Sequence, residues 1–157
     1  MQEVERKFLV LNDDYRKEAF STINIQQGFL NTDPYRTVRV RLAGDQAQIT
    51  IKGISSENGT TRYEWEKEIP FSEAETLLRL CELNLIEKKR YLINSGAFVF
   101  EVDEFLGENE GLVIAEIELE FEEQEFIKPN WLGKEVTGDV RYYNSLLAKT
   151  PYRNWKL

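Results

Sequence analysis

The sequence predicts an α+β fold in which about eight strands, run as an antiparallel meander or a barrel, carry a few short helices. Three observations lead there. Polar and apolar residues alternate in one stretch after another between residues 3 and 121, the period-two signature of half-buried strands. Turn residues such as Asp33-Pro34, Gly44-Asp45 and Asn94-Ser95-Gly96 separate these stretches at short intervals, which favours antiparallel neighbours over βαβ crossovers. Helical periodicity is confined to short segments.

In order, a strand over Glu3–Val10 is followed by a polar segment, Asn12–Ser21, with Tyr15, Ala19 and Phe20 spaced for a short helix. Ile23–Leu30 reads as a strand, and Gly28 inside it predicts a bulge or a close approach. Val38–Leu42 and Ala47–Lys52 alternate strictly around the Ala43-Gly44-Asp45 turn, and Gly53–Gly59 reads as a loop. Thr61–Ile69 sets Arg62, Glu64, Glu66 and Glu68 against Tyr63, Trp65, Lys67 and Ile69. Ser72 and Glu75 have capping-box spacing ahead of an apolar stripe, Ala74, Leu77, Leu78 and Cys81. Ile86–Ile93 and Ala97–Phe105 read as a hairpin, and Val113–Phe121 as a further strand. A short helix over Glu122–Lys128, a turn at Trp131–Gly133 and a last helix from Thr137 or Gly138 to about Ala148 complete the reading. Trp65, Trp131 and Trp155 read as packing residues, and the acid run Glu120–Glu125 as a solvated face.

Composition narrows the function. The chain has 157 residues, 41% of them hydrophobic, which suits one domain spanning 1–157 with a sizeable core. A net charge of -8 argues against a general nucleic-acid or acidic-membrane binder and leaves room for a local basic pocket. There is no histidine, so histidine catalysis and histidine-ligated metals are excluded. The single cysteine, Cys81, excludes an intrachain disulfide and a zinc–thiolate cluster, and it reads as a packing residue. No apolar run approaches the roughly 18 residues of a spanning helix, and the start, acidic from Glu3, lacks a signal-peptide core, so a cytoplasmic location is expected.

What stands out is how the polar faces sort by sign. Glu3, Glu5 and Lys7 share one face of the first strand, and two glutamates roughly 6.6 Å apart along it can converge on a hard cation. Taken alone, that pentapeptide reads more readily as an exposed edge strand of mixed charge. Basic residues gather as Arg39 with Arg41, Lys52, Arg62, and Lys88 with Arg90. Acids gather as Glu64 with Glu66, Glu101 with Asp103, and Glu116, Glu118 and Glu120. Like charges two apart on a strand repel, so such rows ask for counter-ions. If the sheet closes, its interior has room for side chains or one small ligand, and the apolar alternates must face outward under the helices. A phosphate-rich anion suits the arginine forks, and a hard ion such as Mg²⁺ or Mn²⁺ suits a site made only of carboxylates.

Nearly the whole chain resembles, in order, a known family. The residues that carry the resemblance are Glu3-Val4-Glu5-Arg6-Lys7-Phe8-Leu9-Val10, Gln27-Gly28-Phe29-Leu30, Val38-Arg39-Val40-Arg41, Thr50-Ile51-Lys52, Arg62-Tyr63-Glu64-Trp65-Glu66 and Lys88-Lys89-Arg90-Tyr91. They continue with Val102-Asp103-Phe105, Glu116-Ile117-Glu118-Leu119, Pro129 to Thr137 and Asp139-Val140-Arg141-Tyr142-Tyr143-Asn144. The family is the triphosphate tunnel metalloenzymes, or CYTH domain proteins, in their small bacterial single-domain form.

The resemblance implies an eight-stranded antiparallel tunnel with helices outside and a C-terminal helix near one mouth, binding a triphosphate compound with Mg²⁺ or Mn²⁺. It implies Glu3, Glu5, Glu116 and Glu118 as metal ligands. Lys7, Arg39, Arg41, Lys52, Arg62, Lys88 and Arg90 become phosphate ligands, with Arg141 reaching in from the last helix. Phe29 replaces a tyrosine frequent in the family, which removes a hydroxyl. The proton falls to a carboxylate such as Glu5 or Glu116, or to Lys88 with a depressed pKa; the sequence leaves these open. The implied activity is hydrolysis of the terminal phosphate of a triphosphate, foremost inorganic triphosphate. The alternatives are thiamine or nucleoside triphosphates, adenylate cyclisation, and polyphosphate binding without turnover. A homodimer is compatible with the chain.

Overall fold

Strand β1 (Gln2–Val10) is the seam on which the molecule closes. The computed structural model describes residues 1–155, Leu83 by its backbone alone. After β1 come α1 (Tyr15–Glu18), β2 (Ser21–Asn31), β3 (Arg36–Ala43), β4 (Gln46–Ser55), β5 (Thr61–Glu68) and α2 (Phe71–Leu78). Then follow β6 (Glu82–Ser95), β7 (Phe98–Phe105), β8 (Val113–Leu119), β9 (Leu132–Glu135) and α3 (Asn144–Lys149). The sheet runs β5-β4-β3-β2-β6-β7-β8-β1, and β1 returns to β5, so eight antiparallel strands form a closed barrel. One edge of β1 pairs with β8 from Val4↔Leu119 to Leu9↔Ile114. Its other edge is shared: Gln2–Val4 pair with β5, and Phe8 and Val10 pair with β9.

Closure puts the apolar alternates outside and the polar ones inside, as the sequence requires. The largest core lies on the outer wall, where Val4, Phe8, Tyr91, Ile93, Phe100, Val102, Ala115 and Ile117 are covered by Tyr15 of α1, Phe126 and the fully buried Trp131. A smaller cluster seats Ala74 and Leu78 of α2 on Val40 and Ala47 of β3 and β4. A third cluster joins Phe29, Ile86, Phe105 and Ile114, which share the strand parity of the inward charged residues, to Tyr142 and to Leu147 and Ala148 of α3. The inward rows are therefore polar along most of their length and apolar where the last helix docks. Beyond Ala47 the outer face of β4, and that of β5, lacks such cover: Ile51, Tyr63 and Trp65 are exposed, so Trp65 is not the packing residue expected. No helix among the described residues is long and apolar enough to cross a membrane.

Several local expectations are corrected. Gly53 does not open a loop, because β4 runs on to Ser55. Helix α2 begins one residue early, since the Pro70 carbonyl accepts from the N–H groups of Glu73 and Ala74, and no side chain caps it, so Ser72 and Glu75 form no capping box. Glu122–Lys128 is not helical. The Glu122 carboxylate is taken by Asn58, Thr60 and Thr61, and the Gln124 side chain by the Glu120 N–H, bonds that compete with helix. The turn expected at Trp131–Gly133 gives way to β9, which uses the edge of β1 that β5 leaves open. The last helix is divided. Asp139 accepts from the Arg141 N–H and holds Val140–Tyr142 as a 3-10 turn, Tyr143 is extended, and only Asn144–Lys149 is α-helical. Gly28 meets its expectation: the β2–β6 register slips beside it, and a Cβ there would lie 2.7 Å from Cys81 Sγ.

Candidate active site

The barrel encloses a cavity of about 260 Å³, and its wall is sorted by charge. Six strands contribute the charged rows as alternate side chains: Glu3, Glu5 and Lys7 from β1; Arg39 and Arg41 from β3; Lys52 from β4; Arg62, Glu64 and Glu66 from β5; Lys88 and Arg90 from β6; Glu116 and Glu118 from β8; β2 adds Phe29 and β7 adds Glu101. Eleven of the twelve residues expected at the site are thus on one surface. Arg141 is not: it is exposed, paired with Asp139 at 2.7 Å and stacked over Tyr142 and Trp155. The 3-10 turn, by breaking the helix at Tyr143, turns Arg141 outward and Asn144 inward.

Around the barrel, β8, β1 and β5 are neighbours and carry most of the acids, while β4, β3 and β6 carry most of the bases. On the acidic arc, Glu5 lies opposite Glu118 and Lys7 opposite Glu116. Burial and the nearby Glu116 push the Glu5 carboxyl well above the usual range. Burial acts the same way on Glu116, but Lys7, Lys88 and Arg90 outweigh it and hold that carboxyl well below. Glu3 is pushed up to about 7 by burial and by Glu64, against the pull of Lys52 at 3.1 Å. Burial, with Glu64 and Glu101, raises Glu118 as well.

The basic arc is strained in the opposite sense. Burial lowers Arg39 and Arg62. Burial together with Arg39 and Arg90 brings Arg41 down to about 9. Burial, with Arg90 and Arg41 close by, brings Lys88 down to about 7 despite Asp103 at 2.8 Å. Buried Arg39 Nε has no hydrogen-bond partner. Arg90, by contrast, is matched by both oxygens of Asp103 and by Glu101.

The donor set suits a hard divalent cation. It offers oxygen only, on adjacent strands, and the raised carboxyl pKa values of Glu3, Glu5 and Glu118 are ones that an added positive charge would relieve. No three acidic side chains among the described residues are already drawn to one point, because Glu3 is held by Lys52 and Glu116 by Lys7.

Residues that sequence reasoning passed over also reach the cavity or its wall. Gln27 is fully buried and accepts from Arg41 Nε at 2.9 Å. Thr50 accepts from Arg39 and donates to Glu66. Asn144 and Tyr143 come from the chain's last turns. Parity could have found Gln27, two residues from Phe29, and Thr50, two from Lys52. Nothing local announces Asn144. Gly59 and Gly138 cross at the cavity rim, where a Cβ on Gly59 would collide with Gly138.

Known proteins bear on this geometry. The sequence profile of the CYTH domain matches residues 1–145. An inorganic triphosphatase of Acetivibrio thermocellus is 51% identical over 99% of this chain and 98% of its own length. An inorganic triphosphatase of Nitrosomonas europaea is 37% identical over 94% and 97%. The crystal structure of the inorganic triphosphatase NE1496 superposes with a TM-score of 0.66 at 34% identity, covering 93% of each chain. Fold, charge-sorted cavity and sequence agree, and the chain belongs to the CYTH domain family.

Proposed function

We propose that this protein hydrolyses inorganic triphosphate, releasing its terminal phosphate, with Mg²⁺ or Mn²⁺ held by Glu3, Glu5, Glu116 and Glu118. The observation that carries the reading is the opposed strain of one cavity: acids short of positive charge face bases short of negative charge. An oligophosphate with a divalent cation relieves both at once. The relatives named as inorganic triphosphatases support the same substrate. So does the lining, whose only aromatic side chains among the described residues are Phe29 and Tyr143, which leaves little to recognise a base.

The chain's own residues do the following. Arg39, Arg41, Lys52 and Arg62 grip phosphate oxygens, the arginines as forks and the lysine as a point charge, with Lys7 and Arg90 at either side. A divalent cation, when bound, neutralises phosphate charge and makes a nearby water more acidic. Lys88, brought to about 7, is partly neutral near neutral pH and takes the proton of the attacking water. Glu116, held well below the usual carboxylate range, is too weak a base for that proton and serves as a ligand. The new P–O bond forms to that water while the bond to the bridging oxygen breaks, leaving phosphate and pyrophosphate; positioning and charge neutralisation carry most of the catalysis.

The test is phosphate release by the purified protein with Mg²⁺ or Mn²⁺ from triphosphate, thiamine triphosphate and ATP in parallel. Release from triphosphate foremost is expected. A protein inert toward all three overturns the reading, and cyclic AMP formed from ATP replaces it.

A further inference from the structure

Asn144 is the first residue of α3, and its side chain lines the cavity. Its Oδ1 accepts two hydrogen bonds, from Lys88 Nζ at 2.9 Å and from Gln27 Nε2 at 2.9 Å. Gln27 in turn accepts from Arg41 Nε at 2.9 Å. One amide oxygen thus joins two cations on opposite sides of β2. The helix that carries it is firmly seated, because Leu147 and Ala148 are buried in the apolar cluster at that end of the barrel.

Beyond its bond to Cε, a lysine nitrogen has three positions to fill. On Lys88, Asp103 Oδ2 takes one at 2.8 Å and Asn144 Oδ1 takes another. The third is left for the cavity that Lys88 lines. With Asp103 alone, the amine could turn and spread its remaining two positions over many directions. Two acceptors on separate elements, β7 and α3, leave one direction.

We propose that Asn144 is a positioning residue: with Asp103 it aims the free position of Lys88 Nζ at the oligophosphate, and through Gln27 it fixes the fork of Arg41. This deepens, and rests on, the reading of Lys88 as the group that takes the proton. It brings the end of the chain into the chemistry, since no barrel strand supplies this acceptor.

The charged groups that face Lys88 are Asp103 of β7, Arg90 of its own strand, Arg41 of β3 and Glu116 of β8, with the Phe105 ring 5.5 Å away. Asn144 is its uncharged partner. That defines a test in which charge and geometry separate. Asn144→Asp keeps an acceptor at the same place and adds a negative charge. Asn144→Ala removes the acceptor.

Two measurements are made on wild type and both variants: the Lys88 side-chain titration by NMR of lysine-labelled protein, and kcat and KM for triphosphate across pH. Asn144→Asp is expected to move the Lys88 midpoint up by about one pH unit or more, with the rising limb of kcat following it. Asn144→Ala is expected to lower kcat about 10- to 100-fold with a smaller change in KM. A Lys88 midpoint that is the same in wild type and Asn144→Asp overturns the proposal. Equal losses in both variants with an unchanged pH profile also overturn it, because that is what a merely structural role gives. Wild-type protein that releases no phosphate from triphosphate defeats the functional reading instead, and the NMR midpoint still decides whether Asn144 holds Lys88.

Discussion

The carboxylate of Asp103 lies 2.8 Å from the ammonium of Lys88 in the barrel wall, and neither side chain is more than 2% exposed. The same carboxylate accepts two bonds from Arg90. One acid therefore keeps two buried cations in place in the cavity wall. Asp103→Asn retains the shape and removes the charge. A loss of about 3 kcal/mol in unfolding free energy is expected, because two buried cations are left with too few partners. Urea denaturation followed by circular dichroism measures it, and a loss well below 1 kcal/mol would mean the pair is dispensable.

Acid should reveal the same carboxylate. Burial raises Asp103, but Arg90 and Lys88 prevail and hold it at about 2, against an ordinary 3.8. The unfolded chain therefore binds the proton first. The contribution of Asp103 is complete above about pH 4, is lost as pH falls toward 2, and amounts to about 2 kcal/mol. Unfolding free energies of wild type and Asp103→Asn should converge across that window. Parallel curves from pH 5 to 2 would contradict it.

Glu5→Gln should abolish triphosphate hydrolysis while the barrel stays folded. Chelation should silence the wild type, and added Mg²⁺ or Mn²⁺ should restore it. Isothermal calorimetry with Mn²⁺ is the independent readout, in which the variant binds at least about tenfold more weakly. Full activity in excess chelator would remove the glutamates from the mechanism.

Arg41→Lys tests whether a fork is needed or only a charge. Lys cannot reproduce bidentate contact, nor can it reach Gln27 in the same geometry. KM for triphosphate is expected to rise about tenfold or more, as for loss of a hydrogen bond to a charged group. An unchanged KM would demote Arg41 to general electrostatics.

Arg141→Ala should leave kcat and KM within about twofold, since its guanidinium is spent on Asp139 and two aromatic rings outside the cavity. A large rise in KM would show that the turn at Val140–Tyr142 swings inward when substrate binds.

Most of the fold was legible because the strands obey strict alternation. The sign-sorted rows Arg39/Arg41, Lys88/Arg90 and Glu116/Glu118 were legible for the same reason: parity alone puts them on one wall. Long-range competition was not legible. β9 exists because β5 leaves half of one edge of β1 unpaired, a fact of closure that no window of sequence contains. The helix expected after Thr137 is split, because Tyr143 is extended between the 3-10 turn that Asp139 caps and the helix that starts at Asn144. That break sends Arg141 and Asn144 to different sides. Distance hid Gln27 and Asn144 as a pair, since they lie 117 positions apart and meet only when the barrel is complete.

The divided edge of β1 has a consequence for how the protein comes into being. This strand is made before every one of its partners, β5, β8 and β9, and the last of them ends at Glu135. Beyond the short pairing of Gln2–Val4 with β5, it must wait for β8 and β9, with Val4 and Phe8 on one face and Glu3 and Glu5 on the other. Pairings this distant make folding slow, and they make it late in synthesis. Before closure, Glu3 and Glu5 face no Glu116, so a nascent or truncated chain cannot assemble the proposed metal site. Catalysis in this protein would then report a finished barrel, with no partly active fragment before it.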